Sequence, residues 1–122
     1  MKPKGDHLPA LPDLLPIPLL EAIQKHGRTW AEVAPRCGVT EPDPPWKVSL
    51  HAMCECLSVG GTLPSLERRH AEDQLGETLY SGAPAPEQQL LALADMMMRR
   101  GLFDEERLMR RMKEVRSRLE AP

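Results

Sequence analysis

Aromatic residues are scarce in this chain: two Trp, one Tyr and one Phe in 122 residues. A core with so few large rings has to be assembled from Leu, Ala and the seven Met, side chains that adapt well to a partner but specify a lone core poorly. Cysteine is limited to Cys37, Cys54 and Cys56, an odd number, and the opening MKPKGDH followed by proline-broken leucines has no signal-peptide pattern. A reducing, cytoplasmic setting is therefore expected. No apolar run approaches the length needed to cross a bilayer, which leaves a membrane role without support. A strong charge of either sign is missing too. With 16 basic against 18 acidic residues and a net charge of −2, the chain does not read as a dedicated nucleic-acid binder, whose affinity rests on neutralising phosphates. A chain of this length makes one domain at most and buries only about two-thirds of its unfolded surface, which fits a subunit better than a free-standing enzyme.

Proline is plentiful at the start. Pro3, Pro9, Pro12, Pro16 and Pro18 each remove a backbone donor and push the preceding residue out of the helical region. Residues 1–18 are read as an extended arm. Its leucines, Leu8, Leu11, Leu14 and Leu15, need a surface to bury against, and the arm is expected to wrap a partner subunit. Residues 19–122 form the helical domain. LLEAIQKH gives a short helix with Leu19, Ala22 and Ile23 on one face and Gly27 at its end. Thr29 and Glu32 have capping-box spacing and start a second short helix, with Trp30 and Val33, that Gly38 ends. Asp43, Pro44 and Pro45 are expected to open a third.

The most informative stretch is residues 51–69, HAMCECLSVGGTLPSLERR. Trp46, Leu50, Met53 and Leu57 have the spacing of one buried helical stripe, and Gly60 and Gly61 supply the backbone freedom that ends such a helix. Pro64 suits a following first turn, Glu67 complements its positive dipole end, and Arg68 and Arg69 fall about a turn inside. Cys54 and Cys56 invite a metal reading. On a helix, however, residues i and i+2 point about 200° apart and cannot close on one ion, so Cys54 is read as small apolar packing and the chain is expected to hold no metal.

After a loop carrying Tyr80, EQQLLALADMMMRRG predicts a helix with Leu90, Leu91, Leu93, Ala94, Met97 and Met98 inside, closed by Gly101. Asp104 caps a last helix whose stripe is Leu108, Met112, Val115 and Leu119, with Leu102 and Phe103 joining the two as an antiparallel hairpin. The fold class is thus all-α: short helices after an extended proline-rich arm, ending in a helical hairpin. Arginines on that hairpin raise a helical DNA-binding module as an alternative. Interleaved Glu105, Glu106, Glu114 and Glu120 favour an ordinary solvated face, and no nucleic-acid partner is expected.

Taken in order, CECL, a short turn, ERR, GETLY and a helical pair ending RSRL resemble the nitrile hydratase family, over roughly residues 46–119 as a single-sequence reading sets the boundaries. The likeness is to the helical amino-terminal half of the β subunit, which some members carry as a separate chain; toyocamycin-type nitrile hydratase and thiocyanate hydrolase are such three-subunit enzymes. The resemblance implies a non-metal-bearing subunit of a lyase complex that converts a nitrile to an amide. Its partners would be a metal-bearing α-type subunit, holding Co(III) or Fe(III) in a Cys-x-x-Cys-Ser-Cys claw with oxidised cysteines, and a β-barrel subunit. This chain lacks that claw. By the resemblance Arg69, with Arg68 beside it, would contact the oxidised cysteines across the interface, where a planar guanidinium can hold two anionic oxygens in fixed geometry. The resemblance also implies a place for Tyr80 on the substrate-pocket wall; read alone, a single loop tyrosine is a packed amphipath. Many family β subunits have a tyrosine pair before a glutamate where this chain has Pro84, Ala85, Pro86 and Glu87, a departure that points to a roomier wall and a bulky nitrile. The alternatives are a thiocyanate hydrolase β subunit and a metallochaperone or assembly protein, although the adjacent cysteine pair of the family's accessory proteins is absent.

Overall fold

The computed structural model describes residues 15–121, and these are helical with no strand among them. In chain order the helices are α1 (Pro18–His26), α2 (Trp30–Arg36), α3 (Lys47–Val59), α4 (Ser65–Glu77), α5 (Ala85–Arg99) and α6 (Glu105–Glu120). The arm expected over residues 1–18 lies, up to residue 14, outside the described residues; Ile17 is extended and caps α1.

Helix α5 is the centre. It packs mainly against α4, with α1 and α3 also laid on it. The core joins Leu20 of α1, Leu50 and Cys54 of α3, Leu63, Leu75 of α4, Tyr80, and Leu91, Ala92, Leu93 and Met96 of α5. Free cysteine behaves as a small hydrophobe, and burial pushes the Cys54 thiol above its ordinary range.

Two expected stripes hold except at one residue each, Met53 and Leu90, with Trp46, Leu57, Ala94, Met97 and Met98 packed against the core. On α3 it is Cys54, not Met53, that joins Leu50 in the core, while Met53 stays 48% exposed. On α5 the buried side chains are Leu91, Ala92, Leu93, Asp95 and Met96, whereas Leu90 is exposed and Ala94, Met97 and Met98 are half-buried. A run this apolar gives its own phase no contrast, and the residue that fixes it is the polar one. Asp95 is 0% exposed. Its carboxylate accepts from the Tyr80 hydroxyl at 2.5 Å and from Arg99 Nε at 2.5 Å, and Arg99 also donates to the Leu15 carbonyl at 2.6 Å. A buried carboxylate is tolerable only when paired and hydrogen-bonded, and here both conditions are met.

The short helices are capped from a distance. The first N–H groups of a helix lack internal partners and sit at its positive end, so a carboxylate there is stabilising. Glu105 of α6 accepts from the Leu19 N–H at 2.9 Å, and Glu87 of α5 accepts from the Trp30 N–H at 2.7 Å. Glu32 also accepts from the Thr29 N–H at 3.2 Å and from its hydroxyl at 3.1 Å, which holds the Glu32 carboxyl below its usual range. Pro45 and Trp46 form a turn, closed by Lys47 N–H on the Pro44 carbonyl at 3.1 Å, so α3 starts later than the prolines suggest.

Helix α6 is formed and capped as its sequence predicts, with Asp104 accepting from the Arg107 N–H at 2.8 Å. It buries no residue. Leu108 is half-buried against the core, and every position from Met109 to Glu120 is exposed.

Candidate functional site

The arginine pair is positioned by the α3–α4 turn. Gly61 takes φ 81°, a left-handed conformation that L side chains rarely adopt, and the chain then drops Leu63 into the core at 1% exposure. Two hydrogen bonds hold that drop: the Leu63 N–H donates to the Leu57 carbonyl at 3.0 Å, and the Ser58 hydroxyl donates to the Leu63 carbonyl at 2.9 Å. Pro64 caps α4 instead of starting it, and Ser65 opens the helix.

Neighbouring residues on a helix lie about 100° apart, a separation that follows from 3.6 residues per turn. Arg68 therefore turns inward and Arg69 outward. Arg68 is partly buried, donating to Glu72 Oε2 at 2.9 Å and to the Ser58 hydroxyl at 3.4 Å. Its guanidinium also opposes the burial-driven rise at the Cys54 thiol. Arg69 is exposed and makes no ion pair or side-chain hydrogen bond among the described residues. One turn before it, on the same side of α4, Leu66 is 70% exposed. The pair thus divides its work: one guanidinium is tied into the α3–α4 corner, and the other stands free beside an uncovered leucine. Behind them Arg100 donates to the Thr62 carbonyl at 3.0 Å and forms an ion pair with Glu67, fastening the corner to the end of α5.

Tyr80 is not on a surface wall. It is 2% exposed, and its ring belongs to the core. The placement follows from the loop: the Tyr80 N–H donates to the Leu75 carbonyl at 2.9 Å, and the Gln88 side-chain amide donates to the carbonyls of Gly76 at 3.3 Å and Tyr80 at 3.1 Å. Burial drives the Tyr80 hydroxyl far above its ordinary pKa, and its hydrogen bond to Asp95 acts in the same direction. Neither Gln88 nor Asp95 stood out in the sequence; Asp95 meets Tyr80 15 residues back along the chain, although Arg99 stands at the i+4 spacing of a helical ion pair.

Near Pro84 the surface is hollow. An open groove of about 960 Å3 runs between α1, α2 and α5, bordered by Trp30, Trp46, Pro84 and Glu87, and Ala85 borders a smaller acidic hollow with Glu72, Asp73 and Glu77. Cys37 and Cys56 are exposed. Among the described residues no group of three His, Cys, Asp or Glu side chains is arranged to hold a metal ion, and no helix is long and apolar enough to cross a membrane. No family model, no curated protein and no solved structure matches this chain.

Proposed function

We propose that this chain is a non-metal-bearing subunit of a hetero-oligomeric nitrile hydratase, in which Arg69 reaches the oxidised cysteines of a metal-bearing partner subunit. The observation that carries the reading is the asymmetry of the arginine pair. Arg69 is exposed with no carboxylate partner among the described residues, while Glu72, one turn on, is engaged by Arg68. The cation is thus open to an anion beyond the described residues, and the exposed Leu66 offers apolar area at the same place.

The chemistry on this side is that of a second coordination shell. A guanidinium donating to anionic sulfur oxygens stabilises their charge and thereby tunes the metal they ligate. The metal, when bound in the partner, polarises the nitrile toward attack by water. Arg68 acts as a positioning residue that fixes the α4 corner. The antiparallel pairing of α5 with α6, the arm on a partner subunit and the cytoplasmic setting belong to the same proposal, as does a substrate edge near Pro84. Tyr80 is left out of that edge, since its ring and hydroxyl are both used inside.

The test is co-expression of the full chain with a Cys-x-x-Cys-Ser-Cys subunit and a β-barrel subunit. Arg69→Lys is expected to lower nitrile turnover of the purified complex by about 10- to 100-fold with metal content and stoichiometry unchanged. Unaltered turnover, or failure of the subunits to co-purify, overturns the reading; thiocyanate hydrolysis in place of nitrile hydration shifts it to that sister enzyme.

A further inference from the structure

Helix α6 is a folded amphipathic helix whose apolar side beyond Leu108 is exposed among the described residues. Leu108, Met112, Val115 and Leu119 follow one another at spacings of four, three and four residues, the a/d pattern of a two-helix seam. The seam runs about 16 Å along the axis at 1.5 Å per residue. Leu119 is 81% exposed, and Met112 and Val115 are exposed as well. At its base Leu102, Phe103 and Leu108 border an open hollow of about 430 Å3. Isolated helices shorter than about 12–15 residues are marginal in water, and α6 at 16 residues is little longer, so a helix this exposed is suited to gaining packing from outside.

Charge selects the occupant. Arg107, Arg111 and Arg118 line one shoulder of the seam, with Glu114 among them, and Arg116 stands on the other. Within α6 the ion pairs are Glu106 with Arg110 and Glu114 with Arg111, and Arg107, Arg116 and Arg118 have no ion-pair partner among the described residues. A second copy in either direction would set arginine against arginine. A lipid surface favours a broad apolar face with aromatic anchors, whereas this seam is narrow and α6 has no aromatic residue. A phosphate backbone offers nothing for the apolar seam. We infer that α6 is a docking helix for an acidic amphipathic helix of another protein, apolar at the seam and glutamate- or aspartate-rich on its shoulders. This stands without the reading of Arg69.

The probe is a synthetic helical peptide with Leu at a and d and Glu at e and g, with a twin carrying Lys at e and g, titrated against the full chain by fluorescence anisotropy. The Glu peptide is expected to bind at least about tenfold more tightly than the twin, since shoulder charges set helix pairing. Val115→Glu is expected to abolish that binding with the circular dichroism spectrum unchanged. The double change Arg111→Glu and Arg118→Glu should invert the preference. Equal binding of the two peptides, or insensitivity to Val115→Glu, overturns the inference. So does self-association in sedimentation equilibrium that Val115→Glu removes, or stronger binding, lost with Val115→Glu, to phosphatidylserine vesicles or duplex DNA. Peptide binding that appears only when Leu8→Asp and Leu11→Asp are introduced would assign the seam to the chain's own first residues and overturn it equally.

Discussion

Helices α5 and α6 follow each other in the chain, have 15 and 16 residues, and each has an apolar stripe, yet one is the centre of the molecule and the other buries nothing. The difference lies in what surrounds the stripes. Helix α5 brings a carboxylate, Asp95, whose position demands Tyr80 on one side and Arg99 on the other, so its rotation and its neighbours are fixed together. Helix α6 is flanked by arginines that find few acids in the fold, and it stays outside. Helix α5 is also far the more apolar of the two, so apolar content and polar flanks together set their opposite roles.

The comparison can be broken most forcefully at Arg99. Arg99→Ala leaves the fully buried Asp95 without its cation and is expected to lower stability by about 3–5 kcal/mol, read from urea denaturation. Leu93→Ala removes packing from the α5 core and should lower it by about 2–5 kcal/mol in the same experiment. Tyr80→Phe deletes one donor to Asp95 and is expected to lower stability by about 1–3 kcal/mol.

That variant also has a pH signature. The fold disfavours ionised Tyr80, so the native chain keeps the phenol proton more tightly than the unfolded chain. The stabilisation from this difference is complete below the ordinary tyrosine pKa of about 10 and is lost as pH rises above it. The native chain should therefore show a steeper alkaline loss of stability than Tyr80→Phe, measured by denaturation at stepped pH. The smallest effects belong to α6. Met112→Ala and Val115→Ala are expected to change stability by no more than about 0.5 kcal/mol, as exposed positions away from special features do. A loss as large as that of Leu93→Ala would mean that α6 packs on its own chain.

Local chemistry was legible in the sequence. Thr29 with Glu32, Asp104 ahead of Glu105, Gly27 after a short periodic run and the glycine pair at Gly60 and Gly61 each act within a few residues, and the helices begin or end where such signals stand. What could not be read depends on rotation and on distance. Met53 and Cys54 are both apolar and adjacent, so only packing decides which turns in. Leu90 is outside the face expected for it, and Asp95, whose buried ion pair periodicity does not show, is inside. At the candidate site the sequence marked both arginines as one feature. The structure separates them, since Ser58 and Glu72 take Arg68 and leave Arg69 outside.

The distant caps bear on the order in which the chain can assemble. Helices α1 and α2 leave the ribosome first, but the acids that satisfy their opening N–H groups, Glu105 and Glu87, are synthesised last and near-last among the helices. During translation both early segments therefore lack these counter-charges, and they gain them only when the first turns of α5 and α6 have closed. A nascent chain halted after α4 would hold neither.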